Sequence, residues 1–122
     1  MTPRPPKILI VDDDEDQLQI LSAALEGAYE VVTASDGLDG YAIACRERPA
    51  VAVLDIMMPL VDGWTVMRKL RANPVTKDTR IVIATALDGE SVAEEAAKLN
   101  VSLILRKPID LNQLKTSIAR LS

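Results

Sequence analysis

The most informative stretch of the chain is Lys7-Ile-Leu-Ile-Val-Asp-Asp-Asp14, in which a short apolar run passes directly into three carboxylates. Apolar runs of this length are typical of strands that are buried on both faces of a parallel sheet. The last aspartate, Asp14, can cap a helix that starts at once, because its side chain accepts hydrogen bonds from free N–H groups of the first turn. The stretch therefore predicts a buried strand that ends in acidic residues and leads into a helix.

Four more units of this kind follow along the chain. Apolar runs alternate with stretches of helical spacing, which indicates βαβ units and a parallel sheet. The runs are nearly continuous in Val, Ile, Leu and Ala, so we expect strands buried on both faces. The predicted strands are 8–11, 29–33, 51–54, 81–84 and 102–105.

Start and stop signals predict five helices between and after these strands. Four helices are expected to begin at an aspartate, and one at Ser91 with Glu94, which have the spacing of a capping box. Gly27, Pro49 and Asn73-Pro74 are expected to end the first three helices. The aspartates are Asp14, Asp36, Asp62 and Asp110, and the residues expected to face inward are Leu18, Leu21, Leu25, Trp64, Met67, Leu70, Leu111, Leu114, Ile118 and Leu121.

Length and composition indicate a single folded domain. The chain has 122 residues, of which 48% are apolar and 26% charged, and this is the mix of one compact soluble domain. Three prolines among residues 1–6 predict a flexible tail, which leaves one domain over 7–122. The longest apolar runs are far shorter than the roughly 18 residues of a membrane span, and no secretory signal is evident. We therefore expect a cytoplasmic protein.

The absence of histidine excludes several kinds of chemistry. With no histidine in the chain, it cannot supply a Ser-His-Asp triad, a zinc site built on imidazole, or a phosphohistidine of its own. The formal net charge is −4, so the overall field repels phosphate backbones, and nucleic acid is not expected as a direct partner.

Polar residues follow four of the predicted strands, and the sheet would bring them to one edge. Right-handed crossovers place the carboxyl ends of parallel strands together, where sites of such sheets lie. Each residue alone has an ordinary explanation as a helix start, turn or surface residue, but their shared position indicates a site. They are Asp12 and Asp13 after the first strand, Asp55 after the third, Thr85 after the fourth and Lys107 after the fifth.

The chemistry of these residues suits a magnesium ion and phosphoryl transfer. Three converging carboxylates repel one another unless a cation joins them, and oxygen ligands without imidazole or thiolate favour Mg²⁺. The charges of the three carboxylates, one Mg²⁺ and Lys107 cancel, so the site could accept a phosphoryl group. A carboxylate can be the nucleophile of such a transfer.

The motifs resemble those of the receiver domains of two-component response regulators. They are Lys7-Ile-Leu-Ile-Val-Asp-Asp-Asp14, Val53-Leu-Asp-Ile-Met-Met-Pro59 with Asp62-Gly63, Ala84-Thr-Ala86 and Arg106-Lys-Pro108, and the resemblance covers about residues 7–121. It implies an α/β flavodoxin-like fold, a doubly wound five-stranded parallel sheet of order 2-1-3-4-5 with five helices.

The resemblance also implies a role for each residue of the site. Asp55 would accept a phosphoryl group from a phosphohistidine on a sensor histidine kinase or histidine phosphotransfer protein. Asp13 would bind Mg²⁺ directly, Asp12 mostly through water, and Met57 through its backbone carbonyl. Lys107 and the Thr85 hydroxyl would contact phosphoryl oxygens, and the movement of Thr85 would signal to a downstream protein target. The resemblance is also compatible with a dimer that forms on phosphorylation.

Two departures from the family pattern concern signalling and the lifetime of the phosphoryl group. Ile104 and Ile109 stand where the family usually has aromatic residues, so an aromatic switch is not expected and the domain could act mainly as a phosphate relay. Met57 and Leu87, which flank the expected phosphoryl position, are apolar and cannot orient an attacking water. We therefore predict slow self-dephosphorylation.

Two other readings remain open from the sequence. The first is a binding module with the receiver shape that is never phosphorylated. The second is a phosphohydrolase of the haloacid-dehalogenase kind with Asp12 as nucleophile, since Asp12-Asp13-Asp14 follows an apolar strand. Phosphorylation that depends on Asp55 or on Asp12 would discriminate these readings.

Overall fold

The computed structural model describes residues 4–122 and contains one five-stranded parallel sheet. The predicted tail lies partly outside the described residues, since residues 1–3 are not among them. Residues 4–6 have no regular secondary structure, and the Pro6 carbonyl accepts a hydrogen bond from the Glu30 amide. The elements are β1 (Lys7–Val11), α1 (Glu15–Leu25), β2 (Glu30–Ala34), α2 (Gly37–Glu47), β3 (Val51–Leu54), α3 (Gly63–Ala72), β4 (Arg80–Thr85), α4 (Glu90–Lys98), β5 (Leu103–Arg106) and α5 (Leu111–Leu121).

The strand order is β2-β1-β3-β4-β5 and every pair is parallel, which confirms the expected fold class. Alternate residues of the strands pack on opposite faces. One face is covered by α2, α3 and α4, whose Ala44, Met67 and Ala96 pack with Leu9 and Ile83. The opposite face is covered by α1 and α5. This layering leaves the two edges at the strand ends free of helices, and the carboxyl edge is available for a site.

Four of the five predicted helix starts are confirmed. Asp14, Asp36, Asp62 and Asp110 each accept backbone N–H groups in the first turn of the helix that follows. The expected capping box of α4 is wrong, because the helix begins at Glu90 and both Ser91 and Glu94 lie inside it. Its N-cap is Gly89, whose φ of +115° is a conformation that residues other than glycine rarely adopt. Because glycine has no side chain, α4 has no side-chain cap.

Burial on both faces is confirmed for the central strands and is wrong for the edge strands. Every residue of β3 is buried, whereas β2 buries only Ala34 and β5 only Leu105. A strand at the sheet edge has a neighbour on one side only, so its side chains and backbone remain partly open to solvent. Three expected core residues also lie nearer the surface, since Trp64 and Leu121 are half-buried and Leu111 is exposed at the first turn of α5.

Candidate functional site

The register of the central strands brings two aspartates side by side. Val11 of β1 pairs with Leu54 of β3, so the next residues, Asp12 and Asp55, leave the sheet at the same level. The Asp55 amide donates to the Val11 carbonyl at 3.1 Å, which continues the ladder by one residue. Both aspartates are buried, with exposed fractions of 2% for Asp12 and 6% for Asp55.

Lys107 bridges these two carboxylates. Its Nζ donates to Asp12 Oδ2 and to Asp55 Oδ2, each at 2.8 Å. The lysine is placed there because β5 lies beside β4 and the Lys107 amide donates to the Thr85 carbonyl at 2.9 Å. Residues 12, 55 and 107 are thus joined by direct contacts although they are far apart in the chain.

Asp13 completes an acidic cluster at the surface. One carboxylate oxygen from each of Asp12, Asp13 and Asp55 lies within 4.8 Å of the others, and Asp13 is exposed while the other two are buried. An open depression of about 400 Å³ adjoins Asp13 and is also lined by Met57. The three oxygens are hard ligands that lie close to one another, so the chemistry of the donor set fits Mg²⁺.

The protonation equilibria follow from this crowding. Burial raises the pKa of the Asp12 carboxyl above its usual range, although hydrogen bonds from Lys107 and from the Asp14 amide oppose the rise. Burial by itself would lower the pKa of the Lys107 ammonium, but its hydrogen bonds to Asp12 and Asp55 outweigh that effect and raise it. Burial thus disfavours the charged form of Asp12, while its contact with Lys107 favours it.

Thr85 lies at the neighbouring strand end but does not contact the carboxylates through its hydroxyl. The residue is fully buried, and its Oγ1 accepts a hydrogen bond from the Leu87 amide at 3.2 Å. Met57 approaches the site through its backbone, since its amide donates to Asp55 Oδ1 at 3.3 Å while its side chain is 60% exposed. Of the residues singled out in the sequence, Asp12, Asp13, Asp55 and Lys107 form one cluster, with Thr85 and Met57 beside it.

Gly63 supports the site in a way that its motif did not explain. A Cβ atom at this position would lie 2.1 Å from the Asp55 carbonyl oxygen and 2.8 Å from Ile56 Cα. The Gly63 amide also donates to the Ile56 carbonyl at 2.8 Å. This close contact holds the loop that carries Asp55 against the start of α3, and glycine is required because only a residue without Cβ fits.

Comparison with known proteins assigns the family. A sequence model described as the response regulator receiver domain matches residues 8–119. The chain belongs to this family. It is 44% identical to the response regulator PleD of Caulobacter vibrioides over 85% of this chain and 23% of PleD, so it spans about a quarter of that relative.

Shorter relatives and solved structures agree with this assignment. The receiver domain is 32% identical to a probable chemotaxis protein CheY of Rhizobium etli, over 92% of this chain and 88% of that protein. The crystal structure of the chemotaxis protein CheY4 of Vibrio cholerae superimposes with a TM-score of 0.90 at 29% identity and covers 97% of this chain and 99% of that chain. The match therefore places the chain among the receiver domains of two-component signalling systems. No helix of residues 4–122 has the length and apolar character needed to cross a membrane.

Proposed function

We propose that Asp55 accepts a phosphoryl group from a phosphohistidine of a sensor histidine kinase or histidine phosphotransfer protein. The observation that carries this proposal is the bridge of Lys107 Nζ to Asp55 and Asp12 at 2.8 Å. It joins a buried carboxylate to a cation at the strand edge where sites of this fold lie. The partner supplies the histidine that this chain lacks.

The transfer needs a nucleophile and neutralisation of charge more than it needs proton transfer. A carboxylate oxygen of Asp55 forms a bond to phosphorus while the bond from phosphorus to the imidazole nitrogen breaks, and the imidazole leaves with the electron pair of that bond. Lys107, which now shares its ammonium between Asp12 and Asp55, is in reach of the oxygens of an incoming phosphoryl group. The product is an acyl phosphate on Asp55.

Asp13, Asp12, Asp55 and the Met57 carbonyl are the groups that would hold Mg²⁺, with Asp12 acting mostly through water. When bound, the ion supplies positive charge to the phosphoryl oxygens and relieves repulsion among the carboxylates. The raised pKa of Asp12 supports this role, because burial disfavours the charged form of this carboxylate and a bound cation would stabilise it.

Thr85 would report phosphorylation by exchanging its hydrogen-bond partner. In the structure its hydroxyl accepts from the Leu87 amide, and we propose that it turns to a phosphoryl oxygen and releases the loop before α4. Ile104 is half-buried against the core beneath α4, so the change would pass through this loop rather than through an aromatic ring. NMR shifts that stay within the loops around Asp55 and Thr85 after phosphorylation would contradict a signalling surface and favour a relay.

A small phosphodonor tests the phosphoacceptor directly. Incubation with acetyl phosphate and Mg²⁺ should give a phosphoryl adduct, detected by intact mass, that hydroxylamine removes as it does other acyl phosphates. Asp55→Asn should abolish the adduct, and Asp16→Asn, an exposed control from the same acidic run, should keep it. An adduct lost only in Asp12→Asn would favour the hydrolase reading. No adduct on the unmodified chain would favour a receiver-shaped binding module.

The apolar neighbours of the site lead to a prediction for the lifetime of the phosphoryl group. Leu87 packs partly against the core and Met57 points to solvent, so neither orients water toward Asp55. Leu87→Glu supplies a group that can accept a proton from water, and we expect decay several-fold faster than in the unmodified chain, measured by loss of the acyl phosphate over time. Faster decay of the unmodified chain than of Leu87→Glu would contradict this explanation.

A further inference from the structure

Leu60 combines a strained backbone conformation with an apolar side chain that is exposed to solvent. Its φ is +69°, a left-handed conformation that costs a leucine about 1 kcal/mol or more relative to glycine. Its side chain is 97% exposed, so no packing within the domain offsets the strain. Among residues 4–122, the other non-glycine residues with positive φ are Arg48 and Asn100. They follow the ends of α2 and α4, where a left-handed residue commonly ends a helix.

Leu60 belongs to an exposed apolar surface that reaches the acidic cluster. Leu38 is 57% exposed, and it lines a small depression together with Pro59 and Leu60. Pro59 also lines the larger depression that contains Met57 and Asp13. These four residues, Leu38, Met57, Pro59 and Leu60, are called the rim patch below. Contiguous exposed apolar residues of this kind mark interaction sites more often than they serve the fold.

The charged residues that line the two depressions of the rim patch are all acidic. Asp36 and Asp39 line the depression at Leu38, and Asp13 and Asp62 line the depression at Met57. No lysine or arginine is among the residues that line either depression. A second copy docked through the same patch would bring carboxylates against carboxylates, whereas a partner with basic residues around an apolar centre would be attracted.

We propose that the rim patch is a docking surface for the phosphodonor protein, and that the donor presents apolar side chains fringed by Lys or Arg. The inference rests on the proposed function, because a protein that brings a phosphohistidine to Asp55 has to cover Asp13 and the residues beside it. The rim patch is continuous with that position through Met57 and Pro59. Leu60 projects farthest into solvent and is the central contact, which explains why a strained leucine stands there.

Leu60→Asn separates docking from phosphorylation chemistry. Asparagine tolerates the left-handed conformation better than leucine, so the free energy of unfolding should stay equal or rise. Phosphorylation by acetyl phosphate should proceed at the unmodified rate. Transfer from the donor should fall at least tenfold. The matched control is Val75→Asn, an exposed apolar residue in the loop between α3 and β4, which should leave all three measurements unchanged.

The donor is chosen by experiment. Each purified histidine kinase and phosphotransfer protein of the source genome is labelled on histidine, and the one that transfers fastest to the unmodified chain is used for the variants. Transfer should slow as salt is added, since screening weakens the attraction between acidic rim and basic fringe.

Several results would overturn the proposal. They are transfer to Leu60→Asn at the unmodified rate, transfer that salt does not slow, or acetyl phosphate labelling without transfer from any of these proteins. A dimer of the unmodified chain that Leu60→Asn abolishes would assign the rim patch to a second copy instead. Failure of acetyl phosphate to label Asp55 would be a failure of the proposed function itself, recognised before any donor is tested.

Discussion

The two edges of the sheet are built in opposite ways. At the carboxyl edge, two buried aspartates share one lysine and the third carboxylate is exposed beside them. At the amino edge of β4 and β5, Arg71 of α3 donates to carbonyl groups of two loops. One edge gathers like charges that repel one another, and at the other a single guanidinium donates to four backbone carbonyls, two of them in partly buried bonds.

Arg71 connects segments that are distant in the chain. Its guanidinium donates to the carbonyls of Lys77 and Thr79 before β4 and to those of Leu99 and Asn100 before β5, at distances from 2.6 to 3.2 Å. A planar guanidinium can serve several acceptors at fixed angles, which an ammonium cannot. The comparison teaches that the amino edge is held by hydrogen bonds from one arginine to two loops, whereas the carboxyl edge holds a repulsive arrangement of carboxylates beside one lysine.

The largest loss of stability is expected at Gly63, where the loop that carries Asp55 packs closest against α3. Gly63→Ala places a Cβ against the Asp55 backbone, and the loop has to move, so we expect a loss of about 3 kcal/mol in the free energy of unfolding, measured with urea. The control is Gly27→Ala in the turn between α1 and β2, where φ is +92° and an added Cβ would have no neighbouring atom within 4 Å. Backbone strain alone should cost about 1 kcal/mol there. Equal losses would show that the contact with Asp55 is not limiting.

A smaller loss is expected when the amino edge is weakened. Arg71→Lys keeps the charge but cannot reach all four carbonyls, and we expect a loss of about 2 kcal/mol by urea unfolding. The acetyl phosphate reaction at Asp55 should be unchanged, because no contact of Arg71 involves the site. Arg68→Lys on the exposed side of the same helix is the control and should change stability by less than about 0.5 kcal/mol. A reaction that slows in Arg71→Lys would mean that the two edges are not independent.

The smallest effect concerns the charge on Asp12 and its relief by Mg²⁺. Because the pKa of Asp12 is raised in the folded state, the folded protein holds this proton while the unfolded chain loses it. Stability from this group therefore falls as pH rises from about 4, the usual value, through the raised pKa, and the penalty remains above it. With a chelator present, the unfolding free energy of the unmodified chain should therefore decrease relative to that of Asp12→Asn as the pH is raised through this range.

Mg²⁺ should restore stability at neutral pH. At a free Mg²⁺ concentration ten times its dissociation constant, the ion should raise the free energy of unfolding by about 1.4 kcal/mol. Asp13→Asn should remove most of that gain. Measurements with urea in Mg²⁺ and in chelator provide the comparison. A gain that is the same in Asp13→Asn would place the ion elsewhere.

Much of the fold was predictable because its signals are local. The sequence predicts Asp14 as a helix cap and helix starts at Asp36, Asp62 and Asp110, and each of these aspartates caps a helix. Strand boundaries differ from the predictions by at most one residue, as in β2, which begins at Glu30 rather than at residue 29. The predicted start of α4 is wrong because Ser91 and Glu94 have the spacing of a capping box. The helix instead begins after Gly89, whose backbone conformation has no signal in that spacing.

The members of the acidic cluster were also predictable, but their surroundings were not. Asp12, Asp55 and Lys107 follow apolar runs, and parallel strands bring such positions to one edge regardless of their distance in the chain. The close contact at Gly63 and the strain at Leu60 have no local signal, since both depend on the path of the loop between β3 and α3.

The sequence by itself determined the alternation of strands and helices, the family, and the set of charged residues that meet at the carboxyl edge. It did so because hydrophobic period, capping chemistry and strand direction are properties of neighbouring residues. Only the tertiary structure decided how Lys107 divides its ammonium between two aspartates, which carbonyls Arg71 satisfies, and that Leu60 stands strained in solvent. Those features depend on distances between residues far apart in the chain, and these distances are set by packing.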